Sequence, residues 1–374
     1  MPQRPGAYEQ VPPARRPGGP VTQKVTIKDV AAQAGVSVAT VSRVLAGTYP
    51  TSAHARTKVM RAVNDLDYVP NAHARGLAGN GRKTVAVLIQ AVHAPFYGAI
   101  AHGVEAEAAA CGRLSLVCQT GGDPDRELAL VQMMREQRAE TVVLAGGVVE
   151  DDAYRERIAR YAQGLEAAGS RLVLCGRPVP SADLPALIVE YDNEAGARAV
   201  TSHLLAAGHR DIAYIGHIPG LSTSEQRLAG FRAGLADFGI APERARIVEC
   251  DGLELEYGLA AAHRLLSACG GKPDFTAVFA ADDWVATGVI RALHDYGLDV
   301  PGDVSVVGYN DERHSAHLDP PLTTVHIPGE ELGRTAVRMA LRDEALGTAG
   351  ARRQEKQVLG THIVVRKSVA RVGS

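Results

Sequence analysis

The sequence has 374 residues, of which 46% are hydrophobic and 22% charged, and its formal net charge is −2. This composition is that of two or three globular domains, and the apolar runs are far shorter than the roughly 18–20 residues of a spanning helix, which excludes fibrous, fully disordered and membrane-spanning chains. Residues 1–84 carry 12 Lys and Arg against 4 Asp and Glu, and the remainder carries 28 against 38, so the basic head either meets a polyanion or forms a solvated basic face.

Residues 1–23 are rich in proline and glycine and show no apolar periodicity, so we predict a disordered arm. The arm also lacks the apolar core that a secretory signal peptide carries. We therefore expect the protein to stay in the cytoplasm, without a membrane partner.

Three short helices are predicted within residues 24–70. Thr26 stands where it can cap the first helix, and Asp29 where its carboxylate can meet the free amides of the first turn. Gly35 can adopt the left-handed conformation that ends this helix near residue 34. Ser37 can cap a second helix over 38–45, and Ser52 a third over 53–66. The first two helices then meet across a tight turn, as in a helix-turn-helix.

In a helix-turn-helix, the first helix supports the second, whose first turn reaches base edges in the major groove. The helical period predicts that the second helix turns four residues outward, which are Val38, Ala39, Ser42 and Arg43. Arg43 can donate two hydrogen bonds to a guanine, and Ser42 or Thr40 can bind phosphates or bases. The alternative is an amphipathic helical hairpin that binds no DNA.

From Thr84 onward, short β-branched runs alternate with helical segments. The predicted strands are 85–89, 141–144, 171–174, 212–215, 277–279 and 304–307, and the predicted helices are 96–110, 125–135, 193–207, 225–238, 257–268 and 283–296. This alternation predicts a parallel sheet covered by helices on both faces. Residues 84–374 exceed one such sheet, so we predict an α/β body of two doubly wound subdomains with a cleft between them.

Several segments resemble the LacI/GalR family of transcriptional repressors. In the head they are Thr26–Ala31, Ala34–Ser37, Ala39–Leu45 and Tyr68–Asn71. In the body they are Pro95–Tyr97, Gly208–His209, Arg227–Phe231, Val300–Tyr309 and Pro320–Val325. The resemblance covers about residues 24–370, in order and spacing. It implies a helical DNA-binding head, a hinge and linker over residues 71–83, and a body like the periplasmic sugar-binding proteins that binds an effector and forms the dimer.

The resemblance also implies a set of DNA-binding residues: Thr26, Ser37, Val38, Ala39, Thr40, Ser42, Arg43, Asn71, Leu77 and Ala78. Val38 and Ala39 stand at the two family positions that select the operator, where small apolar groups can contact only a thymine methyl. The segment 71–78 matches a helix that forms on operator DNA. Leu77 matches the leucine that wedges into the minor groove, although a linker residue packing on its own core remains the alternative.

In the body, the resemblance implies an effector site made of Phe96, Tyr97, Arg177, Arg227, Asp282, Trp284 and Asn310. Arg227 stands at the family position that grips ligand hydroxyls or an anion, and a surface salt bridge is the alternative for it. Of Asp282 and Asp283, one is expected to face the ligand and the other to support the helix N-terminus. Trp284 either stacks on a sugar ring or has a buried structural role.

These inferences predict a homodimeric repressor that binds a near-palindromic, double-stranded operator and responds to a small hydroxylated effector such as a sugar or sugar phosphate. The sequence contains no nucleophile, phosphate-loop or dinucleotide motif, and its five cysteines show no zinc or disulfide spacing, so neither an enzyme nor a cofactor is expected. The rival prediction is a solute-binding module without a DNA function. Residues 24–80 argue against it.

Overall fold

The computed structural model describes residues 25–46, 51–68, 84–346 and 354–372. The chain divides into two compact units, Met1–Gly81 and Arg82–Ser374. Within the described residues each unit has a hydrophobic core of its own. The predicted arm 1–23 and the predicted hinge segment, with Asn71, Leu77 and Ala78, lie outside the described residues.

The first unit contains the helices α1 (Ile27–Ala34), α2 (Val38–Ala46) and α3 (Ala53–Asp65), which confirms the three predicted helices. The predicted caps are present as well. The Thr26 amide donates to Asp29 Oδ2 at 2.7 Å, the Thr40 amide to Ser37 Oγ at 3.1 Å, and the Ala55 amide to Ser52 Oγ at 3.2 Å. The three helices bury a small core of Val30, Ala31, Ala34, Val41, Val44, Val59 and Ala62.

The second unit is the α/β body. Its strands are β1 (Thr84–Ile89), β2 (Leu114–Gln119), β3 (Thr141–Ala145), β4 (Arg171–Cys175), β5 (Ala186–Tyr191), β6 (Ile212–His217), β7 (Arg246–Glu249), β8 (Ala277–Ala280), β9 (Ser305–Val307), β10 (Thr324–His326), β11 (Glu355–Leu359) and β12 (His362–Val364). Its helices are α4 (Pro95–Ala110), α5 (Pro124–Glu136), α6 (Asp152–Ala167), α7 (Asn193–Ala206), α8 (Ser222–Asp237), α9 (Leu255–Ala268), α10 (Asp283–Asp295) and α11 (Gly329–Leu346). In the part of the chain that the structure describes, no helix is long and apolar enough to cross a bilayer.

The strands form two parallel sheets, one in each lobe of the body. Lobe 1 contains a six-stranded sheet in the order β11-β5-β4-β3-β1-β2, and lobe 2 a four-stranded sheet in the order β7-β6-β8-β9. A two-stranded antiparallel ribbon, β10-β12, accompanies lobe 2. This arrangement confirms the predicted fold class of a helical head followed by two doubly wound subdomains.

The chain passes between the lobes three times: between β5 and α7, between β10 and α11, and between β11 and β12. Residues that follow the strands of the two sheets also meet. The amide of Ser222, which comes after β6, donates to the carbonyl of Val148, which comes after β3. The carboxyl ends of the two sheets therefore face each other across a cleft, which is where open α/β sheets bind their ligands.

Sequence periodicity missed several elements, among them β2 and β7. Both strands lie at a sheet edge, and their side chains are exposed or half-buried. A half-exposed edge strand admits polar residues, so it lacks the continuous apolar run by which the buried strands were recognised.

Close helix packing in lobe 2 leads to a stability prediction. Where α9 and α10 cross, a Cβ on Gly288 would overlap the main chain of Leu255 and Leu259. Gly288→Ala should therefore lower the free energy of unfolding of the body by roughly 1–3 kcal/mol, as overpacking does. Gly98→Ala is the matched control, because the nearest atom to its Cβ would be the Val92 carbonyl oxygen at 3.9 Å. Urea unfolding should show this control unchanged or slightly more stable; equal midpoints for the two variants would contradict the packing argument.

Candidate functional site

The head presents one exposed helix face that can read DNA. Gly35 takes a left-handed conformation, with φ 64°, and its amide closes α1, so the chain turns sharply into α2. Val41 and Val44 anchor α2 in the core of the head, whereas Val38, Ala39, Ser42 and Arg43 are exposed. The outward face predicted for α2 is therefore confirmed.

The first turn of α2 is held by hydroxyl groups. The Ser37 and Thr40 hydroxyls lie 2.9 Å apart and share a hydrogen bond, while Ser37 also accepts from the Thr40 amide. Beside α1, the Asp29 carboxylate accepts from the amide and the hydroxyl of Thr26, and these hydrogen bonds lower the pKa of Asp29. The head also exposes the cations Lys28, Arg43, Arg56, Lys58 and Arg61. An exposed helix face with hydroxyl and cationic groups can meet phosphates and base edges.

In the body, Arg227 is the centre of the lobe 2 side of the cleft. Its side chain is buried, and Nε donates to Asn193 Oδ1 at 3.1 Å, Nη1 to the Ala281 carbonyl at 2.5 Å, and Nη2 to Asn310 Oδ1 at 2.9 Å. The guanidinium carbon also lies 4.1 Å from the centroid of the Tyr309 ring. Arg227 is therefore no surface salt bridge, and it ties together the residues that follow β5, β8 and β9.

Asp282 and Asn310 extend this network. Asn310 Nδ2 donates to Asp282 Oδ2 at 2.6 Å, and Asp282 Oδ1 accepts from the Trp284 amide at 2.8 Å. Burial raises the pKa of Asp282 to about 6, and the neighbouring Arg227 opposes this rise. Asn310 adopts a left-handed φ of 109°, a conformation that asparagine tolerates better than most residues. Three of the predicted effector residues, Arg227, Asp282 and Asn310, thus form one hydrogen-bonded group.

The two consecutive aspartates have different partners. Asp282 itself caps α10 and also joins the network of Arg227. Asp283 is fully buried, where it accepts from the Thr324 hydroxyl at 2.6 Å and the Glu312 amide at 2.8 Å. Burial raises the pKa of Asp283 to about 8. Asp283, in the first turn of α10, therefore holds the segments before and within β10.

On the lobe 1 side, Tyr97 packs against the main chain at the end of β3. Its hydroxyl donates to Gln90 Oε1 at 2.9 Å, and burial raises the pKa of Tyr97 to about 12. Gly146, with φ 94°, lets the Tyr97 ring approach, because a Cβ there would overlap the ring. Phe96 packs edge-on between Tyr97 and Tyr191, with ring centroids 5.3 and 5.8 Å away.

Arg177 and Trp284 each have a protein partner. Arg177 is buried and its Nη1 donates to Glu127 Oε2 at 2.7 Å, so its charge is compensated within lobe 1. Among the described residues, Arg177 Nε and Glu127 Oε1 have no hydrogen-bond partner. Trp284 is half-buried, and His314 stacks on its ring with centroids 4.0 Å apart. One face of the indole is therefore covered by the protein.

Three residues of the cleft were missed by the sequence analysis: Gln90, Asn193 and Tyr309. Each lies just after the carboxyl end of a strand, and this position in the sequence could have identified them as cleft residues. Asn193, for example, lies just after β5. Its side-chain Oδ1 accepts from Arg227 Nε, and its side-chain Nδ2 donates to Gln226 Oε1.

The chain matches two family models. Residues 26–71 match the model described as bacterial regulatory proteins, lacI family, and residues 201–369 match a periplasmic binding protein-like domain. The first match contains the exposed face of α2, and the second contains Arg227, Asp282 and Asn310. The second match covers only the lobe 2 part of the cleft, since Phe96, Tyr97, Arg177 and Asn193 lie before residue 201.

Similar proteins span nearly the whole chain. The HTH-type transcriptional regulator DegA of Bacillus subtilis is 33% identical, over 93% of this chain and 98% of its own. A crystal structure of the lac repressor dimer bound to operator and an anti-inducer has a TM-score of 0.78 and 29% identity, over 93% and 100%. A complex of the transcriptional regulator CelR with cellobiose has a TM-score of 0.65 and 32% identity, over 92% and 99%. The chain belongs to the lacI family of transcriptional regulators, which are not enzymes.

Proposed function

We propose that this regulator is a repressor that binds a near-palindromic operator as a homodimer and responds to a small hydroxylated effector in its cleft. The observation that carries the proposal is the pairing, in one chain, of the exposed face of α2 with the buried Arg227 network. The similarity to a lac repressor dimer bound to operator supports the DNA and dimer parts. The similarity to a CelR complex with cellobiose supports a sugar as effector. A protein that binds chromosomal DNA would act in the cytoplasm.

The exposed face of α2 supports direct reading of the major groove. Val38 and Ala39 carry no hydrogen-bonding side-chain groups, so they can select only by contact with a thymine methyl. Arg43 lies farther along the same face and offers a fork of donors that matches guanine O6 and N7. We assign phosphate contacts to Thr26, Ser37, Thr40 and Ser42, whose hydroxyls lie around the first turns of α1 and α2.

If Arg43 reads a guanine, Arg43→Ala should weaken operator binding by about 1–3 kcal/mol and change binding to random duplex little. The measurement is a titration of labelled operator and of random DNA at one fixed salt concentration. Arg61→Ala, which removes another exposed arginine of the head, is the comparison, because loss of a phosphate contact should weaken binding to both DNAs alike. An equal loss on both DNAs would make Arg43 a phosphate contact instead.

For the segment 71–78, outside the described residues, we propose that Asn71, Leu77 and Ala78 contact operator DNA and that Leu77 enters the minor groove. An apolar wedge unstacks a base step and bends the duplex, at a cost of a few kcal/mol. Leu77→Ala should therefore reduce operator bending, measured by gel mobility of circularly permuted fragments. Unchanged bending in a variant that still binds would assign Leu77 to the linker.

The cleft supports an effector that presents hydroxyl groups. The carboxyl of Asp282 and the amide of Asn310 are acceptor and donor groups of the kind that hold a sugar. Arg227 donates to Asn310, and Asn310 in turn donates to Asp282. Phe96 and Tyr97 add aromatic surface from lobe 1. We also propose that the effector contacts Arg177 and the uncovered face of the Trp284 ring, on which a sugar ring can stack.

If Arg227 organises the effector site, Arg227→Lys should abolish the response to effector while operator binding without effector persists. Lysine keeps the charge but loses the planar fork that contacts Asn193 and Asn310. The measurement is operator release by a pool of sugars and sugar phosphates, cellobiose included. Arg232→Lys, an exposed arginine on the same helix, is the control. An undiminished response in Arg227→Lys would move the effector site elsewhere.

Effector binding would act by changing the arrangement of the lobes in the dimer and thereby the hinge segments. A coupling free energy of ~1–3 kcal/mol between effector and DNA suffices for a useful switch. Whether the effector induces or corepresses depends on which lobe arrangement it prefers. The operator titration with and without sugars decides this sign.

A further inference from the structure

The two lobes are joined by main-chain contacts at a place separate from the three crossing segments. The Ser222 amide donates to the Val148 carbonyl at 2.9 Å, and the Val148 amide donates to Ser222 Oγ at 3.3 Å. Next to them, Val149 and Leu221 pair as an isolated antiparallel bridge. The segment after β3 and the start of α8 therefore form a short piece of sheet that spans the cleft.

The contact is also sterically tight. A Cβ placed on Gly147 would lie 2.7 Å from Thr223 Oγ1 and 2.9 Å from Thr223 Cγ2, closer than real Cβ contacts come. Thr223 is buried, so its side chain has little room to move away. Only glycine at position 147 lets the two main chains come close enough for the hydrogen bonds of Val148 and Ser222.

We propose that Gly147–Val149 and Leu221–Thr223 form a clasp that holds the two lobes closed over Arg227. Ser222 and Arg227 lie on the same helix, five residues apart, which is about 7.5 Å along the helix axis. Opening the clasp would therefore separate the Arg227 network of lobe 2 from Tyr97 and Gly146 of lobe 1. This role rests on the proposed function: effector binding and operator binding would each shift the equilibrium between the open and the closed clasp.

The clasp consists of protein atoms alone: a main-chain hydrogen bond from Ser222 to Val148, which is part of the Val149–Leu221 bridge, and a hydrogen bond from the Val148 amide to the Ser222 hydroxyl. It therefore needs no ligand to form, and the only side chain that takes part in these bonds is that of Ser222. Such a pair of hydrogen bonds is a weak connection compared with the core of either lobe. The clasp can thus open and close while both lobes stay folded, which a switch requires.

Amide hydrogen exchange of the full-length protein, without DNA or sugars, tests the clasp. In the wild type the amides of Val148 and Ser222 should be protected. Gly147→Ala should speed exchange at both amides at least tenfold and increase the radius of gyration in solution scattering. Adding Thr223→Ala should restore protection, because it removes the two atoms that a Cβ on residue 147 would meet first. Gly98→Ala, the same chemical change in an open site, should leave both amides unaffected.

Three results would overturn the clasp. The first is exchange at Val148 and Ser222 in the wild type as fast as in exposed loops. The second is unchanged protection in Gly147→Ala. The third is failure of Thr223→Ala to restore protection, which would place the effect of Gly147→Ala within lobe 1. Ser222→Ala gives an independent check, since it should expose the Val148 amide alone, and Ser202→Ala on α7 is its control. Because no step uses DNA or a ligand, failure of the clasp is separate from failure of the proposed repressor function.

Discussion

A buried guanidinium stays charged only where protein acceptors replace the water that it has lost. Arg227 is such a group, so the surrounding residues must supply its hydrogen-bond acceptors. Its acceptors are Asn193, Ala281 and Asn310, and the ring of Tyr309 lies under its plane. These groups follow three different strands of the body. By drawing them together, one cation joins the carboxyl ends of β8 and β9 in lobe 2 to the segment that follows β5 of lobe 1. Removing it would leave buried polar groups without partners.

The head and the body are stabilised in different ways. The head depends on local features: a left-handed Gly35, hydroxyl caps such as Ser37, and a small core of short aliphatic side chains. The body depends on contacts between distant segments, such as Arg177 with Glu127 and Val148 with Ser222. In the function that we propose, the small head with its own core presents α2 to DNA, and the body changes its lobe arrangement without unfolding.

This difference also explains how much the sequence could predict. Caps and helical period act within a few residues, so the three helices and the exposed face of α2 were predicted correctly. The Arg227 group was found only through family resemblance, and periodicity had no means to show Asn193 as its partner. The pairing of Arg177 with Glu127, and the position of His314 on Trp284, join residues far apart in sequence. Such partners follow from the topology of the sheets, not from local pattern.

In the function that we propose, one chain couples the reading of DNA by α2 to a ligand held in the cleft of the body. Selection of bound sequences from random duplex DNA with the full-length protein, repeated with a pool of sugars and sugar phosphates, tests this coupling. We expect one near-palindromic site whose enrichment changes with at least one compound. If the folded, dimeric protein enriches no site, or if no compound changes the enrichment of the site, the proposed coupling is wrong.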